Sequence, residues 1–182
     1  MAIQRGMYHS SCKAQGAAII DMNEIVTPIM SKTALQVPDN GIIQDVEASG
    51  FVQFQFLTHE DGWHIVEFGP NFWEETGAYP HWVAITFKTP VALLDYALDV
   101  GPYGKDDTSR MPLDLILQAS HDDKTWVDLD TRTGQTQWLN NEKRVYHTPY
   151  PVKYKSYRLY CLRGNNPDVF RLAKFELRFV QE

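Results

Sequence analysis

The sequence predicts an all-β domain, a sandwich or jelly roll, behind a separate N-terminal arm. Three observations carry this. From Phe51 onward, apolar and polar residues alternate with a period of two in short runs, as strands with one wet face require. Turn-forming residues punctuate those runs: Asp61-Gly62, Thr89-Pro90, Gly101-Pro102, Asp122-Asp123, Asn140-Asn141 and Gly164-Asn165-Asn166-Pro167. Nine or so short strands without a long helical period are the mark of a sandwich or jelly roll. Finally, of the 23 aromatic residues only Tyr8 precedes Phe51, so a core large enough to hold the rest belongs to residues 51–182.

Residues 1–50 hold four of the five Met and much Ala, Ile, Ser and Gly. Ala17–Met30 has the period of a short helix, but Pro28 interrupts its end and pushes Thr27 toward an extended conformation. Pro38-Asp39-Asn40-Gly41 is a turn signal. Residues 1–37 therefore read as an arm or lead-in segment and residues 38–182 as the domain. The first strand is expected at 51–56, where Phe51-Val52-Gln53-Phe54-Gln55-Phe56 alternates almost strictly. Further strands are expected at 63–68, 82–88, 91–100, 113–120, 124–129, 143–148, 155–163 and 170–180. Between them lie long loops at 69–81, 101–111 and 130–142, placed where a rigid sandwich presents its binding loops.

The formal net charge is −6. It is unevenly spread: residues 1–130 carry 7 basic and 19 acidic side chains, residues 131–182 carry 10 basic and 4 acidic. An acidic chain is a poor partner for nucleic acid, which needs concentrated positive surface. The split instead predicts that strands of the two halves interleave, so that opposite charges meet across neighbouring strands. The first residues lack the apolar core of an export signal, and no apolar run approaches the roughly 18–20 residues that span a bilayer. These features predict no membrane insertion and leave the compartment open between cytoplasm and, if phage-encoded, virion. The two cysteines, Cys12 and Cys161, make neither a required bridge nor a zinc site; Cys161 lies in the apolar run Tyr160-Cys161-Leu162 and reads as a buried thiol.

Catalytic signatures are absent. There is no Gly-x-Ser-x-Gly elbow and no phosphate-cradling glycine loop. The acidic pairs Glu74-Glu75, Asp106-Asp107 and Asp122-Asp123 are adjacent residues, whereas glycosidic chemistry needs two carboxylates facing across a cleft. Asp122-Asp123 reads as a hairpin turn. The cluster His59-Glu60-Asp61-Gly62-Trp63-His64 has metal-ligand residue types but no metal-binding spacing, so neither metal nor cofactor is expected. The aromatic loops fit a sugar better. Trp73 and Tyr103 offer flat faces for the C–H surface of a pyranose, and His64, His81, Asp106, Asp107 and Arg110 offer groups for its hydroxyls.

Residues 80–180 resemble the discoidin, or coagulation factor 5/8 type C, domains. Pro80-His81-Trp82-Val83-Ala84-Ile85-Thr86-Phe87 is similar to their "P-x-W-x-x-x-x-F" strand, and Leu113 to Trp126 to their "W-x-L-x-G-S-N-D-G-x-x-W" hairpin. Leu129-Asp130-Thr131-Arg132 follows in place of "L-D-T-R". Tyr154-Lys155-Ser156-Tyr157-Arg158-Leu159 and Leu172-Ala173-Lys174-Phe175-Glu176-Leu177 resemble "Y-x-Y-Y-R-L" and the closing "L-A-E-I-E-L". Residues 1–60 match poorly. The resemblance implies a galactose-binding-domain-like jelly roll and a non-catalytic role, in a family whose members bind glycans, phospholipid headgroups or proteins. Within it, Trp126 is expected to point into the core and Arg158 to lie on the face opposite Tyr157 and Leu159.

Two departures stand out. The family's structural calcium lies near an "F-D-G" loop and the glutamate of its closing "A-E"; here the positions read Phe68-Gly69-Pro70-Asn71 and Ala173-Lys174. An added ammonium and missing carboxylates argue against calcium, with Lys174 in its place. Acidic loops also disfavour anionic lipid. The resulting expectation is a glycan-binding module acting through its end loops. The alternative is an assembly component of a larger particle, such as a phage tail, fibre or decoration protein, with residues 1–50 mediating homo-oligomer or particle contacts.

Overall fold

The computed structural model describes residues 41–51, 65–66, 72–102, 104–148 and 151–179, except the side chain of Asp106. The proposed arm at 1–37 and nearly all of the expected strands 51–56 and 63–68 lie outside these residues; Ile65 and Val66 of the latter are fully buried. The elements are β1 (Ile43–Ala48), β2 (Trp73–Thr76), β3 (His81–Asp99), α1 (Lys105–Arg110), β4 (Pro112–Ser120), β5 (Val127–Arg132), β6 (Lys143–His147), β7 (Lys153–Gly164), β8 (Val169–Leu172) and β9 (Lys174–Phe179). All their pairings are antiparallel.

The fold is an all-β jelly-roll sandwich. One layer runs β1-β3-β7-β4-β5. In the other, β6 and β9 flank the second half of β3. Strand β3, 19 residues long, therefore belongs to both layers. The sequence reading placed a turn at Thr89-Pro90 between two strands. The chain instead stays extended there, while the ladder to β7 skips from Thr86 to Val91. Proline has no N–H to give a ladder, so the pairing breaks at Pro90 and the strand changes layer without reversing. Tyr157 closes the gap: its hydroxyl donates to Val91 O at 2.7 Å and accepts from Leu93 N at 3.2 Å.

Alternation puts Val83, Ile85 and Phe87 of β3, Leu115, Leu117 and Ala119 of β4, and Tyr157, Leu159 and Cys161 of β7 inside. Tyr96, Leu98, Phe175 and Leu177 face them from the second layer, and each such burial is worth about 1.5–3 kcal/mol. Burial also pushes the Cys161 thiol well above its ordinary pKa; Cys12 lies outside the described residues. The expected strand 170–180 is two strands, because Ala173 donates its N–H to Asp99 O while β8 pairs with β2 and β9 with β3. The turn reading of Asp122-Asp123 matches the β4–β5 connection. There Asp122 Oδ1 accepts from the N–H groups of Lys124 and Thr125, and Asp123 takes the left-handed conformation at φ 58°.

The two oppositely charged halves of the chain do interleave. Arg171 pairs with Glu74 and Asp107, Arg163 with Asp114, Arg178 with Asp95, and Lys143 approaches Asp99. Among the described residues, no helix is long and apolar enough to cross a membrane.

Candidate functional site

The loop residues singled out from the sequence separate into an interior set and a set outside the described structure. Trp73 is 1% exposed: its ring packs edge-on against Phe170 at 4.9 Å, and its indole N–H donates to Gly50 O at 2.7 Å. It belongs to the core, because β2 lies along β8 and turns its first side chain inward. His81 is also buried, beside Tyr79 with centroids 4.3 Å apart. Its Nδ1 sits 3.1 Å from Glu75 Oε1, close enough for an ion pair but not aligned as a hydrogen bond. Asp107, 1% exposed, accepts from Arg171 Nη1 at 2.8 Å. Arg171 Nε donates to Glu74 Oε2 at 2.6 Å, and Arg110 Nη1 donates to the same oxygen at 2.8 Å. The Arg171 guanidinium stands 4.1 Å from the Phe72 ring centroid. Burial alone would lower the Arg171 pKa, but its hydrogen bonds to Asp107 and Glu74 and their charges outweigh this and raise it.

Trp73, His81 and Asp107 thus lie in the interior. Trp73 opens β2, which pairs with β8, and Asp107 on α1 bonds Arg171 of β8. Arg110 keeps partial exposure, with 22% of its side chain accessible. His64 and Tyr103 lie outside the described residues, as does the side chain of Asp106.

Of the two positions compared with the discoidin calcium site, residues 68–71 lie outside the described residues; Lys174 opens β9 and is 7% exposed, which puts an ammonium in the interior. Among the described residues, no three His, Cys, Asp or Glu side chains converge to hold a metal ion.

Half-buried aromatics occur elsewhere, on the outer face of the large layer. There the alternation of β3 turns Trp82, Ala84 and Thr86 outward, opposite Val83, Ile85 and Phe87. The ladders align Glu47, Ala84, Arg158, Gln118 and Asp128 as one row across five strands. The adjacent row contains Asp45, Thr86, Ser156 and Ser120. A bulge between Ile43 and Asp45 sends Gln44, Asp45 and Glu47 outward together while Val46 stays in the core. Small side chains at Ala84 and Thr86 flanked by large ones leave a groove of about 220 Å³. Ala84 and Thr86 form its floor, Gln44, Asp45 and Glu47 one wall, Trp82 an end, and Trp126, Asp123 and Arg158 the far wall.

Trp126 therefore does not point into the core as expected. Leu129 takes the inward position on β5, which puts Asp128 and Trp126 on the outer side. Arg158 is where the sequence put it, opposite buried Tyr157 and Leu159. Its guanidinium lies 4.1 Å from the Trp126 centroid, 5.0 Å from Tyr160 and 5.7 Å from Trp82. Nε and Nη2 both donate to Gln118 Oε1, at 2.9 and 2.6 Å. Burial lowers the Arg158 pKa, against the opposing charges of Tyr160 and Asp128. The groove thus offers rigid aromatic edges, a held cation and carboxylates.

An outer layer of five strands, a second layer built on the far half of β3, and loops at the sandwich ends define a galactose-binding-like jelly roll, the fold of discoidin domains and family 32 carbohydrate-binding modules. Solved structures of both kinds are similar to this chain. One is the family 32 module of NanJ from Clostridium perfringens in complex with galactose, at 9% identity and TM-score 0.59, covering 74% of this chain and 92% of that one. Another is an F5/8 type C domain from Bacteroides fragilis, at 17% identity and TM-score 0.59, covering 76% and 92%. A third is chitosan-binding module 2 of a Paenibacillus chitosanase/glucanase in complex with chitotriose, at 16% identity and TM-score 0.58, covering 73% and 94%. No family model and no curated protein matches the sequence.

Proposed function

We propose that this protein is a non-catalytic carbohydrate-binding module whose sugar lies in the outer-face groove. The observation that carries the reading is the pairing of Trp82 and Trp126 across a floor of Ala84 and Thr86. A pyranose presents an apolar C–H face and a rim of hydroxyls, and aromatic edges beside Arg158, Asp45, Glu47 and Gln44 answer both. Burial of one sugar against a tryptophan face removes enough apolar area to be worth on the order of 1–2 kcal/mol. The fold neighbours solved with galactose and chitotriose support a sugar as ligand.

Glycan-array screening followed by calorimetry tests this. Trp126→Ala and Trp82→Ala should each weaken the best glycan at least tenfold while the melting temperature shows a folded domain. A second surface, the end loops, is favoured by the accessible part of Arg110 beside Glu74. If Tyr103→Ala or Arg110→Ala removes binding and Trp126→Ala does not, the ligand sits there. Assembly through residues 1–50 is a separate proposal, which sedimentation of the full chain tests.

A further inference from the structure

We infer that the groove selects glycans carrying free amino groups, polymers or oligomers of glucosamine type, over neutral and acidic glycans. This rests on the sugar-binding reading and names its ligand class.

Among the described residues, Glu74, Asp95, Asp107, Asp114, Asp130, Glu142 and Glu176 each face an arginine or lysine within an ion pair. The groove acids do not. Asp45, Glu47 and Asp123 line the groove, all three are exposed, and none forms an ion pair with a described residue. Asp45 and Glu47 are two residues apart on β1 and both face outward. Asp45 uses one oxygen to accept from its neighbour's amide, Val46 N, at 2.8 Å, which orients the carboxylate and leaves its second oxygen to a ligand.

Other charges near the groove do not cancel this. Arg158 on β7 is stacked on Trp126 and gives two nitrogens to Gln118. Lys155 on β7 is a second cation near the groove, where Nζ donates to Gln44 Oε1 and Lys88 O. Asp128 on β5 accepts from Gln118 and adds a further negative charge. The groove lining itself holds three carboxylates and one guanidinium. A sugar stacked at the Trp82 end would set an amino substituent against the β1 wall, where an ammonium meets Asp45 and Glu47 and a uronate meets repulsion. Two partly exposed contacts of this kind amount to about a fivefold preference, reduced by salt.

The test is calorimetry of the full chain with a glucosamine tetramer, its fully N-acetylated counterpart, a galactose oligomer and a galacturonate oligomer. The expected order is glucosamine first, by about fivefold over the acetylated form, with galacturonate weakest. Asp45→Asn/Glu47→Gln should abolish the preference for the amine over the acetylated form, and Trp126→Ala should weaken both. Equal binding of amine and acetylated forms overturns the inference and leaves the sugar reading standing. Glucosamine binding that survives Trp126→Ala, or that vanishes at 0.5 M salt, is polycation adsorption and also overturns it. No binding to any glycan by the folded protein overturns both.

Discussion

Arg171→Met tests whether the end-loop charges hold the fold or a ligand. Arg171 is 9% exposed and makes two charge-assisted hydrogen bonds, 2.6 Å to Glu74 and 2.8 Å to Asp107, besides standing over Phe72. Methionine retains most of the apolar stem, so the change isolates the charged head. Glu74 keeps Arg110 at 2.8 Å. Asp107, 1% exposed, loses its hydrogen bond to Arg171, and removing one partner of a buried ion pair costs about 3–5 kcal/mol. For a domain of this size that lowers Tm by about 10 °C. Urea unfolding followed by tryptophan fluorescence gives the free energy directly, and an unchanged m-value keeps the comparison two-state. The double variant Arg171→Met/Asp107→Asn should recover about 1–2 kcal/mol, because position 107 is then no longer a buried charge. A loss below about 1 kcal/mol for the single variant, or no recovery in the double, would refute the ascription of these residues to structure.

Three further outcomes are expected. Tyr157→Phe should cost about 1–3 kcal/mol by urea unfolding, since the hydroxyl bridges Val91 O and Leu93 N where β3 changes layer. Gly101→Ala should destabilise by about 2–4 kcal/mol, because φ is +86° and a Cβ there would lie 2.9 Å from Ala173 Cβ and 3.3 Å from Asp107 Oδ2. Acid should also loosen the β4–β5 turn: the amides of Thr125 and Lys124 and the Ser120 hydroxyl lower the Asp122 pKa from 3.8 to about 2. A depressed folded pKa means the stabilisation is complete above the unfolded value and is lost as pH falls through the folded one. Melting curves between pH 5 and 2 should therefore fall less steeply for Asp122→Asn.

The strands from β3 to β9 were legible, apart from the unbroken run of β3 through Pro90 and the division of 170–180 into β8 and β9, because alternation is a local property, set by which side of the chain meets the core. Val83, Ile85 and Phe87, or Tyr157, Leu159 and Cys161, announce their inward face without a partner. The turn at Asp122-Asp123 was equally local, since one carboxylate and two amides complete it. Strand β1 was not anticipated, because Ile43 and Val46 are separated by a bulge that breaks the period of two.

The candidate site was much less legible. Trp73, His81, Asp107 and Arg110 have the residue types of a sugar site, yet all but Arg110 are interior, because β8 supplies Arg171 and Phe170 from nearly a hundred residues away. Trp126 was assigned inward because either face of a strand suits an aromatic; Leu129 and Arg158 decide between them. The groove itself draws on β1, β3, β7 and the β4–β5 turn. Its floor exists only because Ala84 and Thr86 sit in register between the β1 acids and the side chains of β7. Local pattern and charge were enough to specify an all-β domain with interleaved halves. Which aromatics face water, and which carboxylates remain for a ligand, was decided by strand order and register, since both depend on partners that only folding brings alongside.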